Sequence, residues 1–146
     1  MRYRYPIAAL VCLTLPAIGF AQDLPQPIAD LGLQDIEIRE KPRAEYGRRI
    51  LGTLPSGATI EIELDGDGTI EDIETRGDEF FPIADILGLI PEPILGNESW
   101  PADATLEKIE FERDGRVEIE GRRADGSEFE AEFAADGQLL DLDTDD

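Results

Sequence analysis

The C-terminal half of the chain alternates apolar and acidic residues with a period of two over three short stretches. A period of two places successive side chains on opposite faces of a β-strand. Each stretch therefore predicts a strand with one apolar and one acidic face, as in an antiparallel sheet that covers a core on one side only. The apolar positions are Ile109, Phe111, Val117, Ile119, Phe129, Ala131 and Phe133, and a glutamate stands beside every one of them.

Three Asp-Gly pairs punctuate these stretches at a constant spacing of 11 residues: Asp114-Gly115, Asp125-Gly126 and Asp136-Gly137. Asp-Gly tolerates the positive φ that tight hairpin turns require. The spacing predicts an antiparallel meander of four strands, the last of which covers residues 138–142.

The N-terminal half repeats this pattern. Residues 57–74 align without a gap with residues 126–143, so that Ile60, Ile62 and Leu64 fall on apolar positions and Asp67-Gly68 falls on a turn. Upstream, the Gly-Arg-Arg run at 47–49 matches a second one at 121–123, which implies a longer loop at 54–57 in the first copy. Residues 35–39 predict the first strand.

A short helix is predicted before each meander, at residues 28–33 and 83–89. In the second one, Ile83, Ile86, Leu87 and Ile90 follow helical spacing, with prolines at 82 and 91 as start and stop signals. A helix can cover the apolar face of a small sheet. The predicted fold is therefore α+β, with two tandem modules that each pack a short helix on a four-stranded antiparallel sheet. Trp100, between the copies, is predicted to pack at their junction.

The first 21 residues have the three regions of a secretory signal peptide: Arg2 and Arg4, an apolar run, and small residues at a cleavage site after Ala21. The apolar run from Ile7 to Ala21 covers 15 residues, fewer than the roughly 20 residues of a membrane-spanning helix. We therefore expect a signal peptide at 1–21, a first repeat at 22–76 and a second repeat with an acidic tail at 77–146. A cleaved signal predicts a periplasmic or secreted protein without stable membrane insertion.

Charge and composition limit the partners and the kinds of site that the chain can have. The chain has 13 Lys and Arg against 34 Asp and Glu, so its net charge is -21, and removal of Arg2 and Arg4 gives 11 against 34, or -23. Such a charge repels nucleic acid and favours cationic partners. The chain has no His, and its one cysteine, Cys12, lies in the signal peptide. Disulfides, Cys/His zinc sites and His general bases are therefore excluded from the mature chain.

The order of these elements resembles the PepSY domain family. The resemblance rests on a short helix with a Leu-Gly-Leu-type end, an Ile-Glu-Ile-Arg strand, a Gly-Arg-Arg strand, a Gly-x-x-hydrophobic-Glu-x-Glu strand and an Asp-Gly turn, repeated over roughly residues 24–146. It implies a helix on a small antiparallel sheet, in a free-standing copy because no peptidase domain follows. The tandem layout is also similar to secreted β-lactamase inhibitor proteins.

The resemblance implies a non-catalytic binding module that inhibits or regulates another exported protein, such as a peptidase or a membrane sensor. No catalytic residue carries over, and the chain has no His to activate Ser56, Ser99 or Ser127, so we predict that it is not an enzyme. The binding residues predicted for this role are Arg48, Arg49, Arg122, Arg123 and Trp100. A structural reading, in which the arginines pair with glutamates on adjacent strands and Trp100 packs, stands beside it.

An alternative function is calcium binding by an accessory protein without another cofactor. Residues 63–74 fit the register of an EF-hand loop, with oxygen ligands at Glu63, Asp65, Asp67, Thr69, Glu71 and Glu74. The segment before this loop alternates like a strand, whereas an EF-hand needs a helix there. A plain acidic hairpin turn, or a structural module without a dedicated ligand, remains open as a further alternative.

Overall fold

The alternating pattern forms nine β-strands within residues 24–42 and 46–145, the part of the chain that the computed structural model describes. The predicted signal peptide lies outside this part. The strands are β1 (Gln34–Glu40), β2 (Arg48–Thr53), β3 (Thr59–Leu64), β4 (Ile70–Thr75), β5 (Phe81–Pro82), β6 (Thr105–Phe111), β7 (Val117–Arg122), β8 (Glu128–Phe133) and β9 (Leu139–Asp145). The helices are α1 (Gln26–Ala29), a 3-10 helix (Ile83–Leu89) and α2 (Glu92–Leu95).

Five hairpin turns share one construction. In each, a glycine at positive φ donates its N–H to the carbonyl three residues earlier, and the residue at that carbonyl pairs with the residue after the glycine. This is the pattern of a turn followed by a glycine bulge, which matches the twist of the flanking strands. The glycines are Gly57, Gly68, Gly115, Gly126 and Gly137.

All nine strands belong to one antiparallel sheet. Strands β1–β4 form a first meander and β6–β9 a second, and the two are joined where Ile73 of β4 pairs with Ile109 of β6; we call this pairing the seam. The short β5 pairs with the start of β6. The prediction of two separate helix-on-sheet modules is therefore wrong. Joining β4 to β6 also removes two open strand edges that separate modules would expose.

The apolar face of the sheet is continuous across the seam. One row of side chains crosses six neighbouring strands in direct register, and every member is at most 2% exposed: Ile50, Ile62, Ile73, Ile109, Ile119 and Ala131. The helical layer covers this face with Ile28, Ile83, Ile86 and Ile94, all at most 1% exposed. A single core therefore spans both meanders.

The helices differ from the predicted ones: the first is shortened to Gln26–Ala29, residues 83–89 form a 3-10 helix with the predicted bounds, and α2 was not predicted. Both α1 and α2 are single turns that begin after Pro25 and Pro91, with a second proline inside the first turn of each. Residues 83–89 form a 3-10 helix, whose three-residue repeat aligns Ile83 with Ile86 and turns Leu87 outward, where it is 40% exposed. None of the helices in the described residues has the length and hydropathy of a membrane span.

The strand registers show where the two copies correspond. From β2 to β4 the first copy matches the second at a constant offset of 69 residues, with Ile62 on Ala131 and Ile73 on Leu142. The gapless match of 57–74 with 126–143 is confirmed, including a bulge at Glu71 and at Leu140.

Two other parts of the predicted alignment are wrong. In the observed register Arg49 corresponds to Glu118, not to an arginine, and the β2–β3 and β7–β8 loops have equal length. The extra residues of the first copy lie between β1 and β2 instead. Helix α1 corresponds to α2 through a shared Pro-x-Pro-Ile sequence, not to residues 83–89.

Candidate functional site

The polar side of the second meander is an open surface of carboxylates, which we call the acidic face. It is formed by every second residue of β6–β9, and the intervening side chains of β6–β8 point into the core. The carboxylates are Glu110, Glu118, Glu120, Glu128, Glu130, Glu132, Asp141, Asp143 and Asp145. The cations among the strand residues on this face are Lys108 and Arg122.

The strand registers arrange these carboxylates in rows that run across the sheet. One row contains Glu110, Glu118, Glu132 and Asp141, directly opposite one another on four adjacent strands. Neighbouring strands lie about 4.8 Å apart, and like charges at directly paired positions repel. A second row contains Lys108, Glu120, Glu130 and Asp143, so the one lysine faces three acids.

The pKa values of two glutamates on the acidic face reflect their burial and the closeness of the neighbouring carboxylates. Burial, followed by the charges of Glu110 and Glu130, raises the pKa of Glu118. Burial, followed by the charge of Glu130 against the opposing effect of Lys108, also raises the pKa of Glu120. Both carboxylates are therefore harder to ionise than in water. A partner that brought positive charge to these rows would relieve the repulsion.

Asp72 extends the first row across the seam. It pairs with Glu110 on one side and Glu63 on the other. Burial, followed by the charges of Glu63 and Glu74, raises the pKa of Asp72 to about 6. Its Oδ1 is buried and lacks a hydrogen-bond partner among the described residues.

The first meander neutralises the same positions. Where the second meander has Glu118, the first has Arg49, whose Nε lies 2.8 Å from Oε1 of Glu63 and 3.4 Å from Oε1 of Glu61. Where the second has Glu120, the first has Leu51. The same backbone therefore carries a paired, mixed surface in one half and an acidic surface in the other.

A buried lysine completes the neutralisation of the first meander. The side chain of Lys41 is 3% exposed, and its Nζ lies 2.8 Å from Oε2 of Glu63 and 2.6 Å from Oε2 of Glu71. Burial alone would lower the pKa of Lys41, but hydrogen bonds to the two glutamates outweigh it, so the pKa is raised. In the second meander Glu132, the equivalent of Glu63, is bonded by Arg116 from a different position, and the Arg116 side chain, which also bonds Asp114, is 42% exposed.

At one end of the acidic face the sheet carries a depression of about 160 Å³. Phe80 forms part of its wall, and the guanidinium of Arg122 lies 4.9 Å from the centre of that ring while it bonds Glu128. The site therefore already accommodates a guanidinium between an aromatic ring and a carboxylate. The acids that line the depression are Glu107, Glu120, Glu128, Glu130, Asp143 and Asp145.

The residues of the predicted calcium loop do not converge on a common point. Glu63 and Glu71 hold the ammonium of Lys41, and Glu74 pairs across the sheet with Glu61 and Lys108. Oδ1 of Asp65 accepts the N–H groups of Asp67 and Thr69, each at 2.9 Å. The hydrogen bond from the Thr69 amide is the main cause of the lowered pKa of Asp65.

Within the described residues, no group of three or more acidic side chains is arranged to hold a metal ion. Calcium binding stays a prediction, and it would require displacement of the Lys41 ammonium from Glu63 and Glu71.

The four predicted binding arginines lie apart. Consecutive side chains of a strand point to opposite faces, so Arg49 is on the polar side and Arg48 is not. Arg48 lines a shallow depression with Asp65 and Asp67 of the predicted calcium loop. Arg122 and Arg123 are at the opposite end of the sheet, where the guanidinium of Arg123 lies 5.5 Å from the centre of the Phe129 ring.

Trp100 packs within the second copy and not at the junction of the copies. Its ring meets that of Phe133 edge-on, with centres 5.7 Å apart and an interplanar angle of 62°. Its Nε1 is buried without a hydrogen-bond partner in the described part of the chain. This contact holds the loop after α2 on the core side of β8.

The candidate residues that sequence reasoning missed are Glu118, Glu120 and Lys41. The alternating pattern showed the two glutamates, but their significance depends on the register, which makes them the equivalents of Arg49 and Leu51 in the first copy. No protein-family model matches the chain, and no curated protein or solved structure matches it significantly. The PepSY resemblance therefore stays a prediction.

Proposed function

We propose that this protein is an exported, non-catalytic binding module, and that the acidic face of its second meander holds a basic surface of another exported protein. Export follows from the signal peptide predicted at 1–21, and the absence of a catalytic role follows from a mature chain without His or Cys. By the PepSY resemblance, the partner class is a peptidase or sensor that the module inhibits or regulates.

One observation carries the proposal. At equivalent positions of the same backbone, the first meander has Arg49 and Leu51 while the second has Glu118 and Glu120. The fold can therefore hold a cation and an apolar residue at these two positions, whereas the second meander has an acid at each of them. Like charges in register cost stability, and electrostatic complementarity with a basic partner would offset that cost on binding.

The test exchanges these positions. We expect the double variant Glu118→Arg/Glu120→Leu to weaken binding of a lysine homopolymer to the mature chain at least about tenfold at low salt. The matched control is Glu98→Arg/Glu92→Leu, which makes the same charge change at exposed residues in and after α2. Calorimetric titration measures both affinities, and the control should retain binding within about threefold.

Equal weakening in the two variants would mean that binding follows net charge alone, and the proposal would be withdrawn. The same pair of variants identifies a natural partner. An exported protein that crosslinks to the wild-type chain and to the control in the native host, but not to Glu118→Arg/Glu120→Leu, is held by the acidic face.

A further inference from the structure

The two edges of the sheet differ in charge. At one edge, β1 contains a bulge, with Asp35 at a φ of 51°, and its Arg39 is paired with Glu37. At the other edge, β9 contains a bulge at Leu140 and no basic residue, and every residue after Leu139 is exposed. Within the described residues no strand pairs with the outer side of β9, so its outward main-chain groups are available for another strand.

Depressions of different chemistry flank β9 on its two sides. On the polar side, Asp143 and Asp145 line the acidic depression described above. On the core side, Leu142 is 43% exposed and borders a shallow depression of about 480 Å³ of mixed character, which is lined by Pro101 and Ala124 and also by Ser99, Asp103, Arg123 and Asp125. Successive side chains of a strand added beside β9 would point alternately into these two environments.

We propose that the edge of β9 receives an extended segment of the partner, which adds to the sheet as a tenth strand and alternates basic and apolar residues. This inference rests on the proposed function and specifies the part of the partner that is recognised. Main-chain hydrogen bonds to β9 supply affinity, and the alternating depressions supply specificity. Basic side chains meet Asp141, Asp143 and Asp145, while apolar side chains meet Leu142.

Charge excludes a second copy of this chain as the occupant. Pairing of β9 with another β9 would set Asp141, Asp143 and Asp145 against the same three acids, and like charges in direct register repel. Pairing with β1 offers one basic residue, Arg39, which already bonds Glu37. A strand with a Lys or Arg at every second position complements the edge fully.

The experiment compares two capped, fluorescent peptides of identical composition by anisotropy at low salt. One alternates Lys-Val four times, and the other has the order Lys-Lys-Val-Val twice. Strand addition requires the period of two, so we expect the alternating peptide to bind at least about tenfold more tightly. N-methylation of every second residue blocks the main-chain donors along one edge of the alternating peptide. Two such forms, each blocked along a different edge, should differ in affinity, because only one edge faces β9.

A matched pair of protein variants locates the site. Leu142→Glu should weaken the alternating peptide about tenfold, whereas Leu87→Glu, at a leucine of similar exposure on the 3-10 helix, should leave binding unchanged. Equal affinity of the two peptides, with both sensitive to Glu118→Arg/Glu120→Leu, would overturn strand addition and leave face binding intact. Lack of binding by either peptide and by the lysine homopolymer would overturn both proposals.

Discussion

The two meanders have the same strand registers and the same bulges, yet the charges on their polar sides are arranged differently. The first meander buries Lys41 between Glu63 and Glu71 and places Arg49 among its glutamates. The second exposes Arg116 at its rim and carries rows of acids with few cations among them across its polar side. Because the backbone is the same, the difference lies in the side chains, and it separates a half whose glutamates hold a buried lysine and Arg49 from a half whose polar side carries rows of acids.

The test with the largest expected effect on stability removes one cation from each meander. In Lys41→Met, Glu63 and Glu71 lose a buried partner, and we expect a loss of about 3 kcal/mol in the free energy of unfolding. The raised pKa of Lys41 means that its contribution is complete at neutral pH and is lost only as the pH rises through that pKa. Urea denaturation at pH 7 measures it.

The control is Arg116→Met in the second meander. Its side chain is 42% exposed, so the loss should stay below about 1 kcal/mol. Similar losses in the two variants would show that burial does not distinguish the two meanders.

A second test compares equivalent turns. Gly68 and Gly137 both have positive φ, at 84° and 88°, but a Cβ at Gly68 would meet no atom within 4 Å, whereas a Cβ at Gly137 would overlap the Pro93 carbonyl. Gly68→Ala should cost about 1 kcal/mol for the backbone conformation alone. Gly137→Ala should cost roughly 1–3 kcal/mol more, because α2 must move. Thermal unfolding of both variants decides whether α2 is fixed on the second meander by this contact.

A third test concerns the seam, where Asp72 joins the two charge patterns. With a pKa of about 6, folded Asp72 keeps a proton that the unfolded chain releases near pH 4, so its contribution makes stability fall as pH rises through that interval. Asp72→Asn cannot ionise. We expect it to match the wild type near pH 3 and to exceed it by about 1–2 kcal/mol at pH 7, after allowance for solvent screening. Urea denaturation across this pH range would contradict the assignment if the two curves stayed parallel.

The smallest effect should come from exchanging charge between the copies. Glu118→Arg places a cation between Glu110 and Glu132 and should raise the free energy of unfolding by about 0.5–1 kcal/mol. Arg49→Glu should lower it by a similar amount or more. Both changes should shrink in high salt. A destabilised Glu118→Arg would mean that the acidic rows do not repel as their spacing implies.

Local features of the fold were predictable from the sequence, and the joining of its halves was not. The hairpins follow from Asp-Gly turns and from alternation, which act over a few residues, as at Gly126 and Gly137. The pairing of Ile73 with Ile109 spans a long connection with no periodic signal of its own. Because this pairing was not predicted, the predicted fold had two separate modules and not one sheet.

The candidate site was missed for a related reason. Similar residues in the sequence suggested that Gly-Arg-Arg at 47–49 matched 121–123, and that residues 28–33 matched 83–89. The observed register places Arg49 opposite Glu63 and its counterpart Glu118 opposite Glu132. Charge inversion at an equivalent position becomes visible only when the alignment follows the strands instead of the most similar residues.

The strand order has a consequence for how the chain can acquire its structure. Apart from the short β5, every strand lies beside its neighbour in the sequence. Apart from the β4–β6 pairing, which closes the long connection between residues 75 and 105, these pairings close short loops and are kinetically accessible early. A polypeptide that emerges from a narrow channel with its N-terminus first could add its strands one at a time, because each new strand pairs with the edge of the sheet that has already formed. The last strand to form would be β9, and its outer edge would then face the molecules that surround the newly folded chain.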